Sequence, residues 1–222
     1  MTPKENPKTI RISQSSDWWS VLNEKTSEAT INPQHREPSI SNFHILGLGL
    51  ERDHFQDIAR QLGEATIVER GDGAAGRSQA CYKSTNAVGN VYLIFEQGEV
   101  TSSYYLFDGG TNWVGEKYCA SAPQITGQQK TESGLGLGLS QLAVERILGR
   151  PNTRSKYKLI YEFQVEKKTD ADGFKRLRKS YPNQSEEELH KTFDIYTFSA
   201  RIEARFNSSG LNYLVVSESE VY

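Results

Sequence analysis

Cysteine and histidine are scarce in this 222-residue chain, at two and four. Cys81 and Cys119 stand too far apart for a C-x-x-C metal or redox motif, and no histidine neighbours either in sequence. His35, His44, His54 and His190 show no H-E-x-x-H spacing, and no serine sits in a G-x-S-x-G elbow. We therefore expect no metal, no cofactor and no catalytic residues. A pair assembled only in space, such as His54 with Asp72, stays open, although His54 reads first as a helix-surface residue.

Long apolar runs are also missing. The longest is VYLIF, Val91 to Phe95, against roughly 20 residues for a membrane helix, so no transmembrane segment is expected. No apolar stretch follows the lysines of MTPKENPKTIRISQSS, so no signal peptide is expected in the chain as given. A signal or lipid anchor removed earlier stays open. Charge of one sign is lacking too: 26 basic against 28 acidic residues leave −2. That gives no field favouring phosphate backbones, so no nucleic-acid partner is expected.

What is present is an internal echo. GLGLERDHFQDIARQLGEAT (Gly47 to Thr66) is answered by GLGLGLSQLAVERILGRPN (Gly134 to Asn152). In the first, Phe55, Ile58, Ala59 and Leu62 form an amphipathic helical stripe that Gly63 ends. In the second, Ser140 can cap, Val144, Ile147 and Leu148 form the stripe, and Gly149 with Pro151 stops it. Such short helices are marginal alone in water, so a sheet must hold them.

That sheet is read from a second echo: VYLIFEQGEVTSSYYLF (Val91 to Phe107) and IEARFNSSGLNYLVVSES (Ile202 to Ser219) both read as hairpins. Gly47 and Gly136 lie 89 residues apart, Phe95 and Phe206 111, so the second copy carries an insert. In it, Ser185 and Glu188 make a capping box for one more short helix. The expected fold is α+β: two tandem units, each of short helices packed on an antiparallel sheet. The expected divisions are an extended N-terminal arm at 1–42, a first repeat at 43–130, and a second at 131–222 with its insert at about 166–192. The core should include Phe55, Ile58, Leu62, Leu93, Phe95, Val144, Leu148, Ile202 and Phe206.

The Gly-x-Gly-Leu lead-in, Val144, the ILGRP ending and the strands after it resemble the small outer-membrane assembly lipoproteins of the BamE (SmpA/OmlA) type. Two such units in tandem resemble the secreted β-lactamase-inhibitor-protein family. The likeness spans about residues 43–222 and implies a periplasmic or secreted, non-catalytic protein-interaction module. The alternatives are an inhibitor of a secreted enzyme, and an envelope enzyme or small-ligand binder using the groove between repeats. Three features depart from the pattern: no lipidation cysteine opens the chain as given, no proline follows Leu62-Gly63, and the insert has no counterpart in the simple unit.

Other motifs have plainer readings. SGLGLGL lacks the third glycine of a dinucleotide loop, which would fall at Leu139, and reads as a structural turn. Arg70-Gly71-Asp72 is an adhesion tripeptide by letter only, although Asp72 and Arg77 are candidate partner-binding residues. The basic run Lys175, Arg176, Arg178 and Lys179 faces Glu186, Glu187 and Glu188 and reads as a self-compensating surface. The even cysteine pair suits a disulfide in an oxidising compartment, and two buried thiols would suit the cytosol. We expect the Cys81–Cys119 bond, which closes a loop of about 38 residues and contributes on the order of 4 kcal/mol.

Strand alternation puts Leu93 and Phe95 on one face, with Ala204 and Phe206 as equivalents. The opposite face carries Tyr92 and Ile94 in the first hairpin but Glu203 and Arg205 in the second. With Tyr105 and Trp113 nearby, the first would be an apolar binding patch, covered by the arm's own Trp18 and Trp19 or by another protein, or else left exposed. The second should be wet.

Overall fold

The computed structural model of the protein describes residues 9–11, 31–70, 76–85, 90–98, 101–109 and 113–222. Its strands are β1 (Thr9–Arg11), β2 (His44–Ile45), β3 (Leu48–Gly49), β4 (Ile67–Arg70), β5 (Arg77–Lys83), β6 (Val91–Gln97), β7 (Thr101–Asp108), β8 (Ala120–Ser121), β9 (Thr153–Arg154), β10 (Lys158–Lys168), β11 (Ile195–Asn207) and β12 (Gly210–Val221). The helices are α1 (Phe55–Leu62), α2 (Gln141–Leu148), α3 (Ala171–Ser180) and α4 (Glu186–Phe193).

The two echoed segments form α1 and α2. Asp57 reaches back to the His54 N–H at 2.9 Å, and Gly63, at φ 94°, closes α1. Ser140 Oγ accepts the Ala143 N–H at 3.2 Å, and Gly149, at φ 81°, closes α2. The glycine-rich lead-in to α2 is structural. A Cβ on Gly136 would meet the Gln129 carbonyl at 2.5 Å, and Gly138 and Leu139 exchange backbone hydrogen bonds with Leu211 in the turn of the second hairpin.

The main sheet runs β1-β4-β5-β6-β7-β12-β11-β10-β9, with β8 beside β5. Its ladders are antiparallel except β1–β4 and β5–β8. Helix α1 precedes β4 to β7, α2 precedes β9 to β12, and the two strand sets meet at β7–β12. One sheet face packs on α1, α2 and the 43–50 segment around a single core. Ile58, Leu62, Leu93, Phe95, Val144, Leu148, Ile202 and Phe206 are buried there, and Phe55 is half-buried at its margin.

The segment at about 166–192 differs from the sequence reading in one respect. The Ser185–Glu188 capping box starts α4 as expected, but the basic run before it is itself a helix, α3, capped by the Asp170 side chain on the Gly173 N–H at 2.7 Å. Only Phe174 and Leu177 mark its inner side, too thin a stripe to announce a helix. Its charges are paired: Lys175 with Asp172, Arg176 with Glu220, Arg178 with Glu186.

Both sheet edges are finished by the N-terminal region. On one, β1 pairs three residues with β4. On the other, Gln34 bridges Phe163 of β10 through Gln34 N to Glu162 O at 2.7 Å and Gln164 N to Gln34 O at 3.0 Å. Asn152 accepts from the Gln34 side chain at 2.8 Å and donates to the Asn32 carbonyl at 2.6 Å. Deleting residues 1–38 strips both edges and is expected to produce concentration-dependent oligomers in light scattering, whereas deleting 1–8 should leave a monomer.

Candidate functional site

The alternation that sends Leu93 and Phe95 into the core sends Tyr92, Ile94 and Glu96 to the far face of the sheet. Tyr92 and Ile94 are nonetheless 0% exposed, so the expected open patch is corrected. Among the described residues the chain's own Trp113–Ser121 segment lies over them, while Trp18 and Trp19, the cover considered from sequence, lie outside the described residues. Trp113, 8% exposed, sets its edge against Tyr92 at 4.8 Å and Phe107 at 5.0 Å. A 3-10 turn, Val114–Tyr118, carries the chain to Cys119, which is bonded to Cys81 of β5 with their Cα atoms 4.5 Å apart.

Alternation gives the face of a residue but not its cover, because the cover arrives from elsewhere in the chain. Here the disulfide delivers it. Glu116 on this segment accepts from Lys83 Nζ at 2.8 Å, Tyr92 OH at 3.1 Å and Asn90 Nδ2 at 3.3 Å. The Lys83 bond first, then that from Tyr92, holds its carboxyl below the ordinary range. Burial, then the bond to Glu116, pushes the Tyr92 phenol up to about 12.

Below this covered region the same face opens into a trench of about 550 Å³ across the β7–β12 junction. Its floor is low because four inward positions are serine: Ser103 pairs with Ser217, and Ser219 with Ser199. None of the four hydroxyls has a hydrogen-bond partner among the described residues, and Ser103 is only 7% exposed.

Two charged walls flank the floor. On one, Glu96 gathers Gln79 Nε2 at 2.9 Å, Tyr105 OH at 3.5 Å and Arg77 at 3.7 Å. Burial above all, then the Glu96 charge, pushes the Tyr105 phenol up. On the other, Arg201 bridges Glu162 and Glu203, and Arg205 binds Glu203 at 2.6 Å while its guanidinium lies 4.6 Å over the Tyr213 ring. The Glu203–Arg205 surface, expected to be wet, is instead a ladder in which Glu203 is buried beneath two arginines.

Of the residues singled out from sequence, Arg77 stands exposed on the trench wall, and Tyr105 reaches Glu96 of that wall at 3.5 Å. Tyr92, Ile94 and Trp113 belong to the covered cluster, and Asp72 lies outside the described residues. Sequence reasoning missed Ser103, Ser199, Ser217 and Ser219, with Glu96, Glu162 and Arg201. The available signal was the alternation of serine through β12 at 217 and 219, which becomes a floor only once the β7–β12 register is known. No histidine lines the trench, no cluster among the described residues could hold a metal, and no described helix is long and apolar enough to cross a membrane. No family model matches the chain, and neither a curated protein nor a solved structure matches it.

Proposed function

We propose that this protein is a non-catalytic binding module of the cell envelope or the extracellular space, and that its trench receives a protruding polar segment of another protein. The observation that carries this is the trench floor: four unpartnered hydroxyls between two walls whose charges are already internally paired. Such a surface has hydrogen-bonding capacity without net charge. It suits a neutral, polar surface rather than a lipid or a polyanion. Glu96, Glu162 and Glu203 are each paired with an arginine, which favours binding over catalysis. The disulfide suits an oxidising compartment.

The same reading treats the chain as a tandem duplication of the BamE-like kind, with a helix and four strands in each copy. Its support is the order of elements: α1 precedes β4 to β7, α2 precedes β9 to β12, and the two strand sets meet at β7–β12.

Filling the trench tests the function. A Ser217→Trp variant is expected to keep the parent melting temperature and to lose at least about tenfold in affinity for a protein retained by the parent from the secreted or periplasmic fraction of its source. Equal retention by both ends the reading. A small-ligand binder is the second reading, favoured by a volume within the usual range for such sites. A small molecule that stabilises the parent but not Ser217→Trp would support it.

A further inference from the structure

The Trp113–Ser121 segment covers the most apolar part of the far face, held by the three bonds of Glu116 and by side-chain packing of Trp113 and Tyr118, with one covalent tie. Beta strand β8 contributes two residues of ladder to β5. The Glu116–Lys83 ion pair is partly open to solvent, where such pairs contribute little. Trp113 packs on Tyr92 and Phe107, but at one end of the segment only. At the other end Cys119 is bonded to Cys81, beside Tyr118, which packs on the same cluster, and Ala120, which packs on the helix-side core. Cys81 is buried in β5, whereas Cys119 is half-buried, so the bond can be approached from the Cys119 side.

We propose that the Cys81–Cys119 bond is a redox latch: its cleavage by a dithiol reductant frees Trp113–Ser121 as a flap and uncovers Tyr92, Ile94 and Phe107. The reductant's thiolate attacks Cys119 Sγ, the S–S bond breaks, and Cys81 leaves as a thiolate that takes a proton. The second thiol then displaces Cys119 Sγ, which is protonated in turn, and the reductant ends as a disulfide. Two electrons pass to the cysteines.

Release should be local. Beta strand β5 keeps its ladders to β4 and β6 without the bond, and the helix-covered core lies on the other side of the sheet. The uncovered surface would join Tyr92, Ile94 and Phe107 to Tyr105 and Tyr213 as one apolar area of the kind monomers seldom expose.

Native protein is incubated with and without dithiothreitol, and thiol state is fixed by alkylation and intact mass. Trypsin cleavage after the exposed Lys117, fluorescence of an apolar-surface dye and far-ultraviolet circular dichroism are then read. Reduction is expected to speed cleavage after Lys117 by about tenfold and to raise dye fluorescence, with the strand signal retained. An oxidised Trp113→Ala variant should still be cut slowly, because the bond rather than the ring is the latch. The proposal is overturned if reduced and oxidised protein are cut alike, if the strand signal collapses on reduction, or if oxidised Trp113→Ala is cut as fast as the reduced parent.

Discussion

Tyr92→Asp is expected to leave no stably folded protein. The ring is fully buried, stacked on Phe107 at 5.2 Å and edged by Trp113, and its hydroxyl donates to Glu116. Losing a buried aromatic costs about 3–5 kcal/mol. Placing a carboxylate there adds several more, roughly, because it is desolvated and sits beside Glu116. The sum rivals the whole stability of a domain, about 5–15 kcal/mol. The expected result is insoluble protein, or a melting temperature lowered by more than about 15 °C. Tyr92→Phe is the control: it removes only the bond to Glu116 and should cost about 1 kcal/mol. A Tyr92→Asp protein that melts with the parent would mean that the Trp113 segment does not cover this face.

The contrast between Tyr92 and its neighbours shows where sequence reading stopped. Alternation placed Tyr92 and Ile94 opposite Leu93 and Phe95, because a strand's faces follow from its period alone. The cover depends on Cys81 meeting Cys119 across 38 residues, and a bonded pair does not say which face the returning chain will cross. Helices α1 and α2 were legible because their stripes, caps and terminal glycines lie within twenty residues. The trench was not. Ser103 and Ser217 face each other only through the β7–β12 register, and a serine in a strand carries no mark of having lost its partner. Helix α3 was hidden for a local reason, since four basic residues in its last two turns read as surface whether or not the backbone is helical.

Glu218 sets the second large expectation, in the stability of the protein against pH. It projects from β12 toward the helix side of the sheet, into a cavity of about 220 Å³ walled by Phe43, Phe198 and Tyr196. Glu51 and Glu37 face it from the N-terminal segment, Glu220 and Tyr222 from its own strand, Asp170 and Arg176 from α3 and its cap. Lys167 of β10 is held by Glu37 at 2.5 Å and lies 4.3 Å over the Phe198 ring. Burial first, then the charges of Glu51 and Glu220, pushes the Glu218 carboxyl up to about 8 against an opposing pull from Lys167. The folded protein therefore holds a proton that the unfolded chain releases near its ordinary value of 4.5. The stability that this proton contributes is complete below that value and is lost as pH rises through about 8. At about 1.4 kcal/mol per pH unit the loss is on the order of 3–4 kcal/mol, or roughly 10 °C of melting temperature. The parent should accordingly melt lower at about pH 9 than at about pH 5, while Glu218→Gln, neutral throughout, should lose most of that slope and melt above the parent at the alkaline end. An unchanged slope in Glu218→Gln would show that this carboxyl is ionised in the folded protein and that another group governs the pH dependence.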